Sequence, residues 1–170
     1  MPDATFNVLI LCTGNSARSI LGEALINHLG AGRFRAFSAG SKPAGRVNPF
    51  ALEALAAHGI ALNDAISDAR SKSWDEFAAP GAPNMDCVIT VCDSAANEVC
   101  PVWPGAPVSA HWGIPDPAHV GETDTEKRAA FELAYARMHR RVSALVALTV
   151  ETMSPAELKL RLNAIGETRD

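Results

Sequence analysis

Residues 6–19 read Phe6-Asn7-Val8-Leu9-Ile10-Leu11-Cys12-Thr13-Gly14-Asn15-Ser16-Ala17-Arg18-Ser19, an apolar run that stops at a cysteine and a polar, glycine-containing turn. Phe6 to Leu11 suits a short strand buried on both faces, because a continuous apolar run rich in branched side chains leaves no polar face for solvent. From Ser19 to Leu29 the apolar residues Ile20, Leu21, Ala24, Leu25 and Leu29 recur near the helical period, and Gly30 and Gly32 supply a stop. A buried strand entering a helix through a tight loop is the opening of an α/β fold.

The rest of the chain continues the alternation. Phe34 to Ala39 reads as a second strand, and Asn48-Pro49 as a cap and first-turn pair for a helix to about His58, ended by Gly59. Ser67 to Pro83 is irregular apart from a short helix near Trp74. Val88 to Val91 is a third strand and Pro107 to Ala110 a fourth, followed by a Pro-rich loop to Gly121. Glu126 to Leu148 has helical spacing, with Phe131, Leu133, Tyr135, Met138, Val142 and Leu145 on its apolar face. Ser154-Pro155-Ala156-Glu157 has the form of a capping box and opens a short helix to about Ile165, whose role the sequence does not reveal. The pattern predicts an α/β protein: a single-domain open parallel sheet of about four strands flanked by helices, with ligands at the carboxyl ends of the strands. Residues 1–150 form the expected domain and 151–170 a helical extension.

The loop after the first strand carries the chemistry. Cys12 is followed by Thr13, Gly14, Asn15, Ser16 and Ala17, then Arg18 and Ser19 at the start of the helix. Such a loop presents backbone N–H groups and the positive end of a helix dipole to a tetrahedral oxyanion. Gly14 and Asn15 tolerate the left-handed conformations that turn amides inward. Arg18 offers two parallel donors to two oxygens, which lysine does not. The same field favours the Cys12 thiolate, since cysteines at helix N-termini beside cations ionise well below the ordinary value of about 8.5. Ser19 is placed to donate to that sulfur. An inert core cysteine is the ordinary reading of an isolated Cys, but this surrounding set argues against it. Asp116, in the Pro-bracketed Ile114-Pro115-Asp116-Pro117-Ala118, is the candidate acid from a second loop, although Asp-Pro by itself is more often a turn.

Composition narrows the partners. The 170 residues are 48% hydrophobic and 20% charged, which is globular, and 15 basic against 19 acidic residues give a formal net charge of −4. No basic field exists to condense onto nucleic acid or anionic lipid. The N-terminus lacks the basic start and apolar stretch of a signal peptide, and no apolar run reaches the roughly 18 residues that span a bilayer, so a cytoplasmic location is expected. Thiols there are normally reduced, and disulfides tend to be transient and catalytic. Four cysteines in one small domain therefore each require a reason. Cys87, inside the third strand, is read as a small core residue. His28, His58, His111, His119 and His139 make no close pair with cysteines at transition-metal spacings.

The segment Val8 to Ser19 resembles the phosphate-binding loop of the low-molecular-weight tyrosine phosphatases and of the arsenate reductases that share their fold. His111-Trp112-Gly113 with Asp116-Pro117-Ala118 is similar to the reductases in particular, as are Ser38-Ala39-Gly40, Val47-Asn48-Pro49, and Val91-Cys92-Asp93 leading to Cys100-Pro101. The likeness covers about the first 145 residues. It implies Cys12 as nucleophile, Arg18 as oxyanion binder, Asp116 as general acid, and Cys92 and Cys100 as a redox relay. The substrate implied is arsenate, with phosphate or sulfate as competing oxyanions, and an external thiol reductant in place of a tightly bound cofactor. Two features differ from thioredoxin-linked members: the Cys92 to Cys100 gap is one residue longer, and Ala17 stands where many have a further cysteine. The donor is thus open between thioredoxin and glutathione or glutaredoxin. Cys92 and Cys100 on one helix would lie about 12 Å apart, beyond disulfide reach, so residues 93–99 are expected to loop and to rearrange on oxidation. Some family members hold potassium through side chains corresponding to Asn15, Glu23, Ser38 and Asp68, all oxygen donors. Two rivals stand beside arsenate reduction. A phosphatase would need Cys12, Arg18 and Asp116 alone, and usually has an aromatic residue where Ala118 stands. A noncatalytic oxyanion or redox sensor would bind without turnover.

Overall fold

A computed structural model describes residues 5–60, 71–91, 103 and 107–167. Within them the chain runs β1 (Phe6–Cys12), α1 (Arg18–Leu29), β2 (Phe34–Gly40), α2 (Pro49–Ala57), β3 (Cys87–Thr90), β4 (Val108–His111), α3 (Asp124–Val146) and α4 (Pro155–Gly166). Single 3-10 turns lie at Trp74–Phe77, Pro117–His119 and Val150–Thr152. The sheet order is β2-β1-β3-β4, and each neighbouring pair is parallel. The predicted four-stranded parallel sheet with flanking helices is therefore the observed one.

β1 lies inside the sheet, and Val8 to Leu11 are fully buried. Its alternation divides the interior. Val8, Ile10 and Cys12 join the larger core with α1, α3 and α4, while Leu9 and Leu11 join a smaller core with Trp74, Phe77, Met85, Val88 and Trp103. A strand covered on both faces has no use for polar residues, and that explains the continuous apolar run. Parallel pairing sends the carboxyl ends of all four strands to one edge, so the loop after Cys12 and the loop after His111 emerge at the same edge, one strand apart.

Local signals set the element ends. Asn48 caps α2, its side chain accepting from the Phe50 amide at 2.9 Å, and Pro49 occupies the first turn. Thr123 caps α3 and Ser154 caps α4 through the amides of Glu126 and Glu157. The third strand takes in Cys87 as expected but ends at Thr90, one residue before the expected Val91. Leu133 was expected on the apolar face of α3 but is 49% exposed, because it lies two positions from Phe131 and such residues point to different sides of a helix. Among the described residues no helix is long and apolar enough to cross a membrane.

The last helix acquires a role that the sequence left blank. Leu158, Leu162 and Ile165 enter the larger core, and the fully buried Trp112 donates its indole N–H to the Leu162 carbonyl at 2.8 Å. Gly166 lies so close to β4 that a Cβ there would sit 2.4 Å from the His111 carbonyl oxygen. The helix thus closes over the β4 edge, beside the strand that leads to the Asp116 loop. Arg33 secures the approach to it: its guanidinium bonds the carbonyls of Val146 and Leu148 at 2.8 and 2.9 Å and also pairs with Glu151.

Replacing the fully buried Leu162 by Ala is expected to cost about 2–5 kcal/mol of unfolding free energy in urea titrations. Leu160, 73% exposed on the same helix, is the control, and Leu160→Ala should change stability by less than about 0.5 kcal/mol.

Candidate active site

Cys12 ends β1 and Arg18 begins α1, so the loop between them is anchored at both ends by regular structure. Its peptide groups are oriented from outside. The Thr13 carbonyl accepts from the Lys42 amide at 3.0 Å, the Gly14 carbonyl from the Ala44 amide at 2.8 Å and the Ser71 hydroxyl at 3.0 Å, and the Ser16 carbonyl from the Asn48 amide at 2.8 Å. No cis bond occurs among the described residues. In a trans peptide the N–H points opposite to the carbonyl, so the amides of Gly14, Asn15 and Ala17 face away from those donors. Amides turned away from the carbonyls' donors in this way are the kind of donors an anion site needs.

Asn15 supplies the turn. It is the non-glycine residue with positive φ among those described, at 46°, a conformation that asparagine tolerates better than most. Fully buried, it is fixed by two side-chain bonds, Nδ2 donating to Ser19 Oγ at 2.8 Å and Oδ1 accepting from the Lys72 amide at 2.8 Å. Ser19 is also fully buried and carries the Asn15 bond, so it braces the loop. Gly40 backs the whole arrangement. A Cβ on it would lie 2.4 Å from the Thr13 carbonyl oxygen and 2.9 Å from that of Cys12, so only glycine fits behind the loop.

Arg18 and Asp116 meet over this concavity. Arg18 Nη1 donates to the Ile114 carbonyl at 2.9 Å, and Nη2 lies 3.5 Å from Asp116 Oδ2. Asp116 Oδ1 accepts from the Ala118 amide at 2.9 Å, which holds the carboxyl as the cap of the 117–119 turn. Asp116 therefore caps a turn and at the same time lines the cavity beside Arg18. Cys12, Thr13, Gly14, Ser16, Ala17 and Arg18 line one cavity of about 490 Å³ together with Asp116 and Ala118. No side chain caps the start of α1, whose N-cap residue is Ala17. Arg46 also lines the cavity; sequence reading missed it because an arginine in a Gly-rich surface loop carries no local signal.

Cys87 lies apart from this edge, fully buried, and burial together with neighbouring Asp86 pushes its thiol well above the ordinary range. Such a sulfur is a core residue. Cys92, Cys100 and the segment between them lie outside the described residues, as does Asp68.

The potassium donors can be tested for fit. Asn15, Glu23 and Ser38 are buried and close together under the loop, and Ser38 donates its amide to Glu23 Oε1 at 3.1 Å. Lys72 reaches into the same place: its ammonium lies 3.8 Å from Glu23 Oε1 and 3.5 Å from Ser38 Oγ. Two monovalent cations about 4 Å apart repel by about 4 kcal/mol at an effective dielectric of 20. Among the described donors, Glu23 and Ser38 thus already face an ammonium where a metal cation would have to lie.

Comparison with known proteins agrees with this geometry. The family model of low molecular weight phosphotyrosine protein phosphatases matches residues 7–156. The arsenate reductase of Halalkalibacterium halodurans is 34% identical over 135 residues, covering 79% of this chain and 91% of that protein. Among solved structures, an arsenate reductase from Archaeoglobus fulgidus superposes with a TM-score of 0.61 at 29% identity, covering 83% of this chain and 99% of that one. A thioredoxin-dependent arsenate reductase from Corynebacterium glutamicum gives a TM-score of 0.58 at 27% identity, covering 86% of this chain and 64% of that one.

Gly40→Ala is expected to push the Cys12–Asn15 backbone out of shape and to weaken phosphate binding about tenfold or more, a change of at least about 1.4 kcal/mol in calorimetric titration. Unchanged affinity would show that the loop does not depend on the support behind it.

Proposed function

We propose, from the premise that the chain belongs to the low molecular weight phosphotyrosine protein phosphatase family, that it reduces arsenate to arsenite with Cys12 as nucleophile and Cys92 and Cys100 as a thiol relay. The observation that carries this reading is the shared cavity of Cys12, Arg18 and Asp116, walled by the small Ala118. A cavity without an aromatic wall at 118 suits a small inorganic oxyanion better than a phosphotyrosine ring. The arsenate reductases among the chain's relatives support the same substrate.

The steps follow from the groups present. The loop amides from Thr13 to Arg18 and the Arg18 guanidinium hold the arsenate oxygens and favour the Cys12 thiolate. The sulfur attacks arsenic, and one oxygen leaves as water with its proton supplied by Asp116, which gives an S–As(V) bond. Cys92 then attacks the Cys12 sulfur. The S–As bond breaks with its electron pair left on arsenic, so arsenic falls to As(III) as two thiols become one disulfide. Cys100 attacks Cys92 and frees Cys12, and an external dithiol reduces the Cys92–Cys100 disulfide. Thioredoxin is the donor favoured by the Corynebacterium glutamicum relative, with glutathione or glutaredoxin as the route if Cys100 is dispensable. A reducing cytoplasm suits a disulfide that forms and is broken in each turnover.

Ser19 accepts from Asn15 and so braces the loop, which leaves its own hydroxyl proton to be donated to the Cys12 sulfur. Phosphate and sulfate compete at the same amides. Slow hydrolysis of aryl phosphates is a natural second activity, since its first step needs the same Cys12, Arg18 and Asp116 and no relay.

Cysteine variants separate these chemistries. Cys12→Ser should lose both arsenite release and aryl phosphate hydrolysis. Cys92→Ser should lose arsenite release by at least about a hundredfold while keeping aryl phosphate hydrolysis, because only the reductive half needs the second sulfur. Undiminished thiol-supported arsenite release by Cys92→Ser would overturn the reductase assignment.

A further inference from the structure

Lys72 looks like an ordinary surface residue in Ser71-Lys72-Ser73, yet its side chain is only 2% exposed. Lysine is almost never buried this deeply without a partner. Three elements converge on it. Its backbone closes onto β2, where the Gly40 amide donates to the Lys72 carbonyl at 2.9 Å, and onto the anion loop, where its amide donates to Asn15 Oδ1 at 2.8 Å. Its ammonium turns inward to Glu23 Oε1 of α1 at 3.8 Å and Ser38 Oγ of β2 at 3.5 Å. Glu23 is likewise 2% exposed, so a carboxylate and an ammonium lose their hydration together beneath the loop.

A compact monovalent charge among oxygen ligands is what a bound alkali cation would supply there. An ammonium carries the same charge on a tether, with three donors in place of an open coordination sphere. The site it serves is the same Asn15 that holds its left-handed turn in the oxyanion loop. We propose that the Lys72 ammonium takes the place of a monovalent metal cation as the built-in counterion of Glu23, so that Lys72 positions the oxyanion loop and oxyanion binding does not depend on potassium. Its role in binding rests on the oxyanion half of the function proposed above, and not on the thiol relay.

Wild type and Lys72→Met, which keeps the stem and removes the charge, are compared in potassium, sodium and choline chloride at one ionic strength. Phosphate affinity is read by calorimetry, and thermal stability is read alongside. Wild type should bind phosphate equally in all three salts. Lys72→Met should bind about tenfold or more weakly in choline, the scale on which outer-layer positioning groups act, and should recover in potassium more than in sodium. A variant weakened equally in every salt, or not weakened at all, would reduce Lys72 to a structural residue and overturn the proposal. If Lys72→Met does not fold, wild type still decides: a rise in melting temperature specific to potassium over sodium would refute a built-in cation, and indifference to the ion would support it. Absence of phosphate binding by wild type in every salt would instead defeat the oxyanion reading, and the melting-temperature comparison would still test Lys72.

Discussion

The structure depends on the orientation of a handful of peptide groups between Cys12 and Arg18. Amides that face one concave side gain nothing from one another, and a loop left to itself would relax. Here the carbonyls of Thr13, Gly14 and Ser16 are each held from behind by residues 42, 44, 48 and 71. Gly40 allows the backbone to be approached within contact distance, and Asn15 absorbs the left-handed turn. The positive field is therefore built before any anion arrives, which is the condition under which electrostatic stabilisation contributes most to catalysis.

Around that loop two charge pairs do different work. Arg18 and Asp116 are partly exposed, at 13% and 34%, and lie 3.5 Å apart on the cavity. Both have bonds to backbone that aim them: Arg18 to the Ile114 carbonyl and Asp116 to the Ala118 amide. Lys72 and Glu23 lie on the opposite side of the loop, sealed from water. A buried pair of this kind is poor evidence for stability but a good means of fixing one arrangement, because removing either partner strands a charge. In the proposed function the exposed pair is the one placed to meet the substrate, and the buried one is the one placed to hold the floor beneath it.

What the sequence disclosed follows from the range of the forces involved. The β1-loop-α1 unit, the Asn48 cap and the Ser154 capping box are decided by neighbours within a few positions, and each appears where expected. Asp116 was found because proline on either side is a local signal. Lys72 escaped notice, since nothing within Ser71-Lys72-Ser73 announces that Glu23 and Ser38, some 49 and 34 positions away, will close over it. The docking of the last helix on Trp112 was equally hidden, as a 50-residue separation lies between indole and acceptor. Leu133 shows the limit of reading hydrophobicity without phase: it is apolar and helical, yet it faces water.

The proposed chemistry turns on whether the field of the loop acts on Cys12. Titrating thiolate absorbance in the ultraviolet, with the same curve for Cys12→Ser subtracted, isolates that sulfur. Ionisation is expected within the range of about 3.5 to 7.5 found for cysteines at helix N-termini beside cations, shifting upward when phosphate fills the loop. A sulfur that ionises at or above the ordinary thiol value of about 8.5 and ignores phosphate would contradict it.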